Sequence, residues 1–197
     1  MDLGLTGKRA LVTGSNSGIG AAIATMLAAE GCAVIVHGRN SARTMAIAHE
    51  IGAAGIALGD LATDAGADAV VDAAGNIDIL VNNAGGAAGT SAMAWTTVDE
   101  HSWVETYQMN TVAAARMIRR LLPGMQARGW GRIINIVSAA ASQPLAFGRR
   151  LWCGEGRHVE HDGQPGQVAR RVRCHRQQRF ARRGHDASSA PMAREPP

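Results

Sequence analysis

The residues with the most chemistry to offer stand just behind short apolar runs. "TGSNSGIG", Thr13–Gly20, follows "RALV" and opens a segment with helical patterning. Gly14 permits a tight turn, Gly18 lets a pyrophosphate approach the backbone, and Gly20 lets helix and strand pack closely. Phosphates held there would meet the free amides and positive dipole end of the following helix. Ser15, Ser17 and Ile19 belong to the same candidate set. A glycine cluster alone is weak evidence, since a plain glycine-rich turn is the other reading; a strand before it and a helix after it favour the phosphate reading.

"HGRN" closes the next apolar run, where the adenosine ribose of a dinucleotide would lie. An acidic residue there would take both ribose hydroxyls and select NAD, and none is present. Arg39 either faces a 2′-phosphate, which favours NADP over NAD, or is an ordinary surface arginine. "GDLAT" puts Asp60 and Leu61 beside an adenine, though Asp60 reads equally as a loop carboxylate. "NNAGG" offers Asn83, Ala84 and Gly85, small enough for the backbone to lie along a cofactor. Asn110, inside a long helical stretch, and Ser138, ending "GRIINIVS", are the remaining polar candidates.

These residues need elements to hold them. "RALVTG" (Arg9–Gly14), "CAVIVHG", "AGIAL", "IDILVNNAGG" and "GRIINIVS" read as five strands. They are continuously apolar rather than alternating, so they belong to a parallel sheet buried on both faces. Between them lie helices. "GIGAAIATMLAAEG" places Ile19, Ile23, Met26 and Leu27 on one face and stops at Gly31. "SARTMAIAHEIG" has Asn40 or Ser41 to cap it, and "DAGADAVVDAAG" has Thr63. "TTVDEHSWVETYQMNTVAAARMIRRLLPGMQARG" is one long helical region. The fold class is α/β, a doubly wound parallel sheet whose ligands sit beyond the strands' carboxyl ends.

In 197 residues there is one domain's worth of core, and the net charge of +4 is unevenly distributed. Residues 1–148 hold nine Lys and Arg against eleven Asp and Glu, whereas residues 149–197 hold eleven Arg against five acids. Large apolar stretches end at the same point, so something different begins near Gly148. Cys32, Cys153 and Cys174 show no paired spacing, which suits thiols in a reducing cytoplasm. No apolar run approaches the roughly 20 residues needed to span a bilayer, and "MDLGLTGKRALV" lacks a signal layout. The expectation is a soluble, cytoplasmic protein without a membrane partner.

Taken in order and spacing, "TGSNSGIG", "NNAG", Asn110 and "GRIINIVS" resemble the short-chain dehydrogenase/reductase family over about residues 5–148. The resemblance implies a Rossmann-type domain that binds NAD or NADP and passes a hydride between the nicotinamide and an alcohol or carbonyl carbon of a small molecule. It implies further that Asn110 holds a water of the proton relay, that Ser138 bonds the substrate oxygen, and that Asn83, Ala84 and Gly85 line the cofactor. Full family members form homo-oligomers through later helices, an expectation not extended to this chain.

The family's chemistry also needs a tyrosine as general acid/base, with a lysine at i+4 on the same helix face. A phenol near its ordinary pKa of about 10 is a poor base at neutral pH, so a cationic neighbour is required. Tyr107 is the only tyrosine here and Lys8 the only lysine, and neither matches. About a dozen residues after Ser138 the chain reads "LWCGEG" instead. The genetic code offers a reason. With a one-base slip near Gly148, codons spanning Leu151–Gly156 permit Tyr-Gly-Ala-Ala-Lys. Cys174–Arg183 likewise permits Val-Thr-Val-Asn-Ser-Val-Ser-Pro-Gly, which looks like the family's next strand and nicotinamide loop.

Residues 149–197 are accordingly expected to be out-of-frame and poorly ordered, with the C-terminal part of the fold missing. Two other readings of this tail are weighed. A nucleic-acid-binding arm needs interleaved aromatics, and only Trp152 and Phe180 are available. A zinc site from Cys153, His158, His161, Cys174 and His175 lacks a CxxC or HxxxH pair, so no metal is expected. The functional expectation is an NADP-leaning oxidoreductase, inactive in this chain without its Tyr and Lys. The alternatives are a nucleotide-binding remnant without catalysis, or a basic-tailed binding protein.

Overall fold

A computed structural model of the chain describes residues 3–86 and 99–138. The tail from Arg149, with Leu151–Gly156, whose codons permit a shifted Tyr–Lys pair, and the Cys and His residues considered for zinc, lies outside these described residues, as do Thr96–Val98.

The five apolar runs become strands β1 (Arg9–Val12), β2 (Ala33–Gly38), β3 (Gly55–Leu58), β4 (Ile79–Asn82) and β5 (Arg132–Asn135). All four pairings are parallel, in the order β3-β2-β1-β4-β5. The register sets Leu11 beside Ile35 and Leu80, and Val12 beside Val36 and Val81. Successive residues point to opposite faces, so one sheet builds two cores. Leu11, Ile35 and Leu80 pack with Val70, Met117 and Met125 on one side. Val12, Val36 and Val81 pack with Ala24, Ile23 and Leu27 on the other. Each large side chain so enclosed contributes roughly 1.5–3 kcal/mol.

The helices are α1 (Gly18–Ala29), α2 (Ser41–Glu50), α3 (Asp64–Ala74), α4 (Glu100–Tyr107) and α5 (Ala113–Ala127). Asn40 caps α2 by accepting from the Arg43 amide at 2.9 Å, and Thr63 caps α3 by accepting from Gly66 at 3.0 Å. Gly31, at φ 80°, ends α1 as expected, while the Cys32 amide bonds back to Leu27.

Two features differ from the sequence expectation. Ile19 and Met26 of α1 are 67% and 70% exposed; the buried stripe runs through Gly20, Ile23, Ala24 and Leu27. Close approach to the sheet selects the small residues, because a Cβ on Gly20 would strike the Gly14 carbonyl. The long helical region is also not uniform. Between α4 and α5 a π-helical turn, Gln108–Val112, interrupts the α-helical hydrogen bonding.

Candidate active site

The chain winds outward from β1 through β2 to β3, then returns to place β4 on the other side of β1. The exits of β1 and β4 therefore diverge, opening a crevice between their loops. Thr13 ties the two sides together. Its hydroxyl donates to the Val81 carbonyl at 3.2 Å and accepts from the Asn83 and Ala84 amides at 2.9 and 3.0 Å. The Asn83 side-chain amide donates to the carbonyls of Thr13 and Gly14.

The glycine loop divides its work as the spacing predicts. Gly14, at φ 65°, turns the chain, and a Cβ there would sit 2.9 Å from Ala84 Cα. Gly20 lies against the Gly14 carbonyl. Gly18, at φ 55°, has nothing within 4 Å of a Cβ position and faces open space. Ser17 occupies the N-cap of α1 without a side-chain bond to the first-turn amides, and no acidic residue stands in that turn. Those amides are thus presented to an anion rather than capped by Ser17. This combination fits a dinucleotide pyrophosphate: room above Gly18, backbone donors, and a loop that a Cβ at Gly14 or Gly20 would destroy.

Two neighbouring cavities extend along the strand ends. One, of about 550 Å³, is lined by Gly14, Ser17, Arg39, Arg43, Asp60 and Leu61 among others. The second, of about 440 Å³, is lined by Asn110, Asn135, Val137 and Ser138. Ile19, Asn83, Ala84 and Gly85 line both, so the two form one continuous trough. Every residue in the sequence-derived set touches this trough except Ser15. That serine has no exposed surface; its hydroxyl donates to the Val12 carbonyl at 2.7 Å and accepts from the His37 amide at 2.9 Å. It braces the turn from beneath.

Arg39 and Asp60 face each other across the first cavity at 3.7 Å, with 69% and 49% of their side chains exposed. Asp60 also accepts from the Ala62 amide at 3.0 Å. Leu61 dips into the core and is 5% exposed. In the second cavity Asn110 sits within the π-helical turn, a distortion often associated with functional residues. Its Oδ1 accepts from the Gly86 amide at 2.9 Å, and its Nδ2 donates to the Gly86 and Thr106 carbonyls, each at 2.7 Å. The side chain is therefore engaged in holding the loop behind β4, and a Cβ on Gly85 would collide with it.

His37 is the residue that sequence reasoning missed. It is buried at the end of β2, Nδ1 accepts from the Gly14 amide at 2.9 Å, and Nε2 lies 3.1 Å from the Gly59 carbonyl. Burial holds its pKa below the ordinary histidine value, outweighing the upward pull of the Gly59 carbonyl. A polar side chain ending the apolar run "AVIVHG" was the available sign.

The chain's single lysine and single tyrosine do not replace the missing pair. Lys8 precedes β1, at the opposite end of the sheet, with Nζ 4.2 Å from the centroid of the Trp130 ring. Tyr107 is on α4, partly exposed, and lines neither cavity. No helix among the described residues is long and apolar enough to cross a membrane.

Comparison with known proteins agrees with this geometry. The family model for short chain dehydrogenases matches residues 8–149. An uncharacterized oxidoreductase of Bacillus subtilis, YvrD, is 39% identical over 151 residues, covering 74% of this chain and 56% of that protein. The D-beta-hydroxybutyrate dehydrogenase of Cupriavidus necator is 37% identical over 155 residues, covering 73% of this chain and 59% of its own. Among solved structures, L-sorbose reductase from Gluconobacter frateurii, complexed with NADPH and L-sorbose, superposes with a TM-score of 0.73 at 36% identity, covering 80% of this chain and 62% of the reductase. The chain spans a little over half the length of these curated relatives. The family's fold binds a nicotinamide cofactor, and the chain belongs to the short chain dehydrogenase family.

Proposed function

We propose that residues 1–148 form the dinucleotide-binding part of an NADP-preferring oxidoreductase acting on an alcohol or ketone, and that the 197-residue chain itself transfers no hydride. The observation that carries the first part is the trough, in which the glycine turn, the uncapped start of α1 and the exits of β2, β3 and β4 share one cavity system. Gly14, Gly18 and Gly20, with Ser17 and Ile19, would cradle the pyrophosphate. Arg39 would hold the 2′-phosphate, since no carboxylate at the end of β2 competes for ribose hydroxyls. NADPH in the similar L-sorbose reductase supports this preference. Asp60 and Leu61 would flank the adenine, and the Asn83–Gly85 backbone would run beside the nicotinamide end. When bound, the nicotinamide supplies the hydride donor or acceptor.

At the reacting end, Ser138 would bond the substrate oxygen and Asn110 would serve the proton relay. Both line the second cavity. Nothing in the described chain can exchange a proton with that oxygen in the way a lysine-assisted phenol does, because Tyr107 and Lys8 stand away from it. We attribute the loss to a one-base slip near Gly148, with residues 149–197 an unintended tail rather than a second functional unit. The gene's bases from codon 143 through codon 156 test this. They should spell Tyr-x-x-x-Lys in the shifted frame, and bases that cannot do so dismiss the slip.

A nucleotide-binding remnant is the second reading, favoured by the completeness of the β1–β4 lacing alongside the missing proton donor. Equilibrium binding of NADPH without turnover separates it from the basic-tailed binding protein, which requires no nucleotide affinity at all. The substrate's finer identity would rest with residues beyond Ser138.

A further inference from the structure

We propose that His37 is a positioning residue whose neutral imidazole clamps the phosphate turn to the exit of β3, so that nucleotide affinity falls as the clamp opens at acid pH. The affinity half rests on the nucleotide-binding reading above; the clamp stands on geometry alone.

The ring is buried, and its two nitrogens meet opposite partners. The Gly14 N–H donates to Nδ1 at 2.9 Å, so Nδ1 must present a lone pair. The Gly59 carbonyl, 3.1 Å from Nε2, can only accept, so the ring proton belongs on Nε2. One tautomer satisfies both contacts. The main chain reinforces it: the His37 amide donates to Ser15 Oγ, and the Ser15 amide donates to the His37 carbonyl, both at 2.9 Å. One residue therefore joins the exits of β1, β2 and β3. Gly14, His37 and Gly59 all line the cavity of about 550 Å³ in which the adenosine half would lie.

A second ring proton would set a donor against the Gly14 N–H donor. The turn would have to open, and Gly14 is the residue whose φ of 65° shapes it. No group in the Thr13–Gly20 turn ionises, so none can compensate from that side. From the other elements, Asp60 behind β3 favours the charged ring and Arg39 behind β2 opposes it; Arg43 of α2 lines the same cavity. Burial outweighs these and lowers the imidazole's pKa. The sign follows: the clamp is whole above the ordinary histidine range and is lost as pH falls through the lower value of the folded protein.

Two measurements test the proposal independently. Long-range proton–nitrogen NMR of the ring in the cofactor-free chain, in solution or by magic-angle spinning of sedimented protein, should find the Nε2–H tautomer. Protonation should come only below the ordinary value of about 6.5. A proton on Nδ1, or titration at the ordinary value, overturns the clamp whatever nucleotides do. Equilibrium binding of NADP⁺ is then compared between about pH 7.5 and pH 5 in the parent chain and in His37→Asn, whose amide oxygen can still accept from Gly14 but cannot titrate. The parent should weaken about tenfold and the variant under about threefold, in keeping with one hydrogen bond replaced by a donor–donor conflict. Equal losses in both chains reject the pH coupling, because titration of the cofactor's own phosphate is common to them. Should neither chain bind, the nucleotide reading fails and the tautomer alone decides the clamp.

Discussion

The two ends of the trough are held differently. At the adenosine end, the loops behind β1, β2, β3 and β4 are bonded to one another through Ser15, His37 and Asn83, and the strands beneath are covered on both faces. At the other end, β5 has β4 on one side and no strand on the other among the described residues. Ile134, Ile136 and Val137 are each more than a third exposed there. Asn82, buried beside β5, donates to Asn135 at 2.9 Å, yet its Oδ1 lacks a partner among the described residues. The adenosine end is closed by residues before Gly86. The reacting end lines a cavity but needs neighbours that the described residues do not supply. The proposed binding and the proposed chemistry thus fall at differently held ends, and each prediction below tests that separation.

The largest effect should come from shifting the reading frame by one base near codon 148. Carbonyl reduction, followed by cofactor absorbance over a panel of ketones, should rise by about three orders of magnitude or more, the scale of a general acid/base. The unshifted chain should show no turnover. Turnover by that chain at an ordinary enzyme rate would falsify the assignment of the proton donor to the hidden codons.

Within the adenosine end, two glycines sharpen the contrast between folding and binding. Gly20→Val places side-chain atoms against the Gly14 carbonyl and Asn83, and should cost about 3 kcal/mol in urea unfolding. Gly18→Val meets open space, so it should cost only about 1 kcal/mol, from its left-handed backbone. It should nevertheless reduce NADPH affinity the more of the two per unit of stability lost. An NADPH affinity left unchanged by Gly18→Val would show that the space above Gly18 is not a binding site.

Most of this architecture was legible because its causes are local. Continuous apolar runs specified buried parallel strands, and Asn40, Thr63 and Gly31 marked helix ends through their own side-chain or backbone preferences. The turn at Gly14 and the close packing at Gly20 followed from glycine spacing between a strand and a helix. What escaped depended on partners distant in sequence. The stripe of α1 was misassigned because apolarity pointed to Ile19 and Met26, whereas distance to the sheet admits Gly20 and Ala24. Asn110 in a π-helical turn could not be foreseen, since its bonds reach Gly86, 24 residues away. In the sequence Ser15 stands among the phosphate-loop candidates and His37 only closes an apolar run; the register of β1 against β2 makes them a bracing pair.

Arg39 gives a smaller and more selective test. Its pairing with Asp60 is long and exposed, so Arg39→Ala should alter stability by less than about 1 kcal/mol. Preference for NADP over NAD, read as the ratio of dissociation constants, should fall at least about tenfold if a charge-assisted bond to the 2′-phosphate is lost. An unchanged ratio returns Arg39 to the ordinary surface and removes the basis for the NADP preference.

The smallest effect lies where α5 crosses α3, away from the trough. Arg120 is largely enclosed and donates to Asp68 at 2.6 Å and to Asp64 at 2.9 Å, while Arg116 and Arg119 also approach Asp64. The hydrogen bond from Arg120 is the main cause holding each carboxyl's pKa below its ordinary value. Depressed acid pKa values mean stabilisation that is complete above the ordinary aspartate range and disappears as pH falls through the lower folded values. Both carboxylates are exposed, so solvent and salt screen them and the contribution is small. Arg120→Met should keep the packing of its stem while flattening the fall in Tm between neutral and strongly acid pH, and added salt should reduce the difference between the two chains. If the acid slope were unchanged, these ion pairs would be ornaments of the surface. Because neither aspartate lines the trough, NADPH affinity at neutral pH should be the same in both chains. A loss there would mean that the helix pair and the binding end are coupled after all.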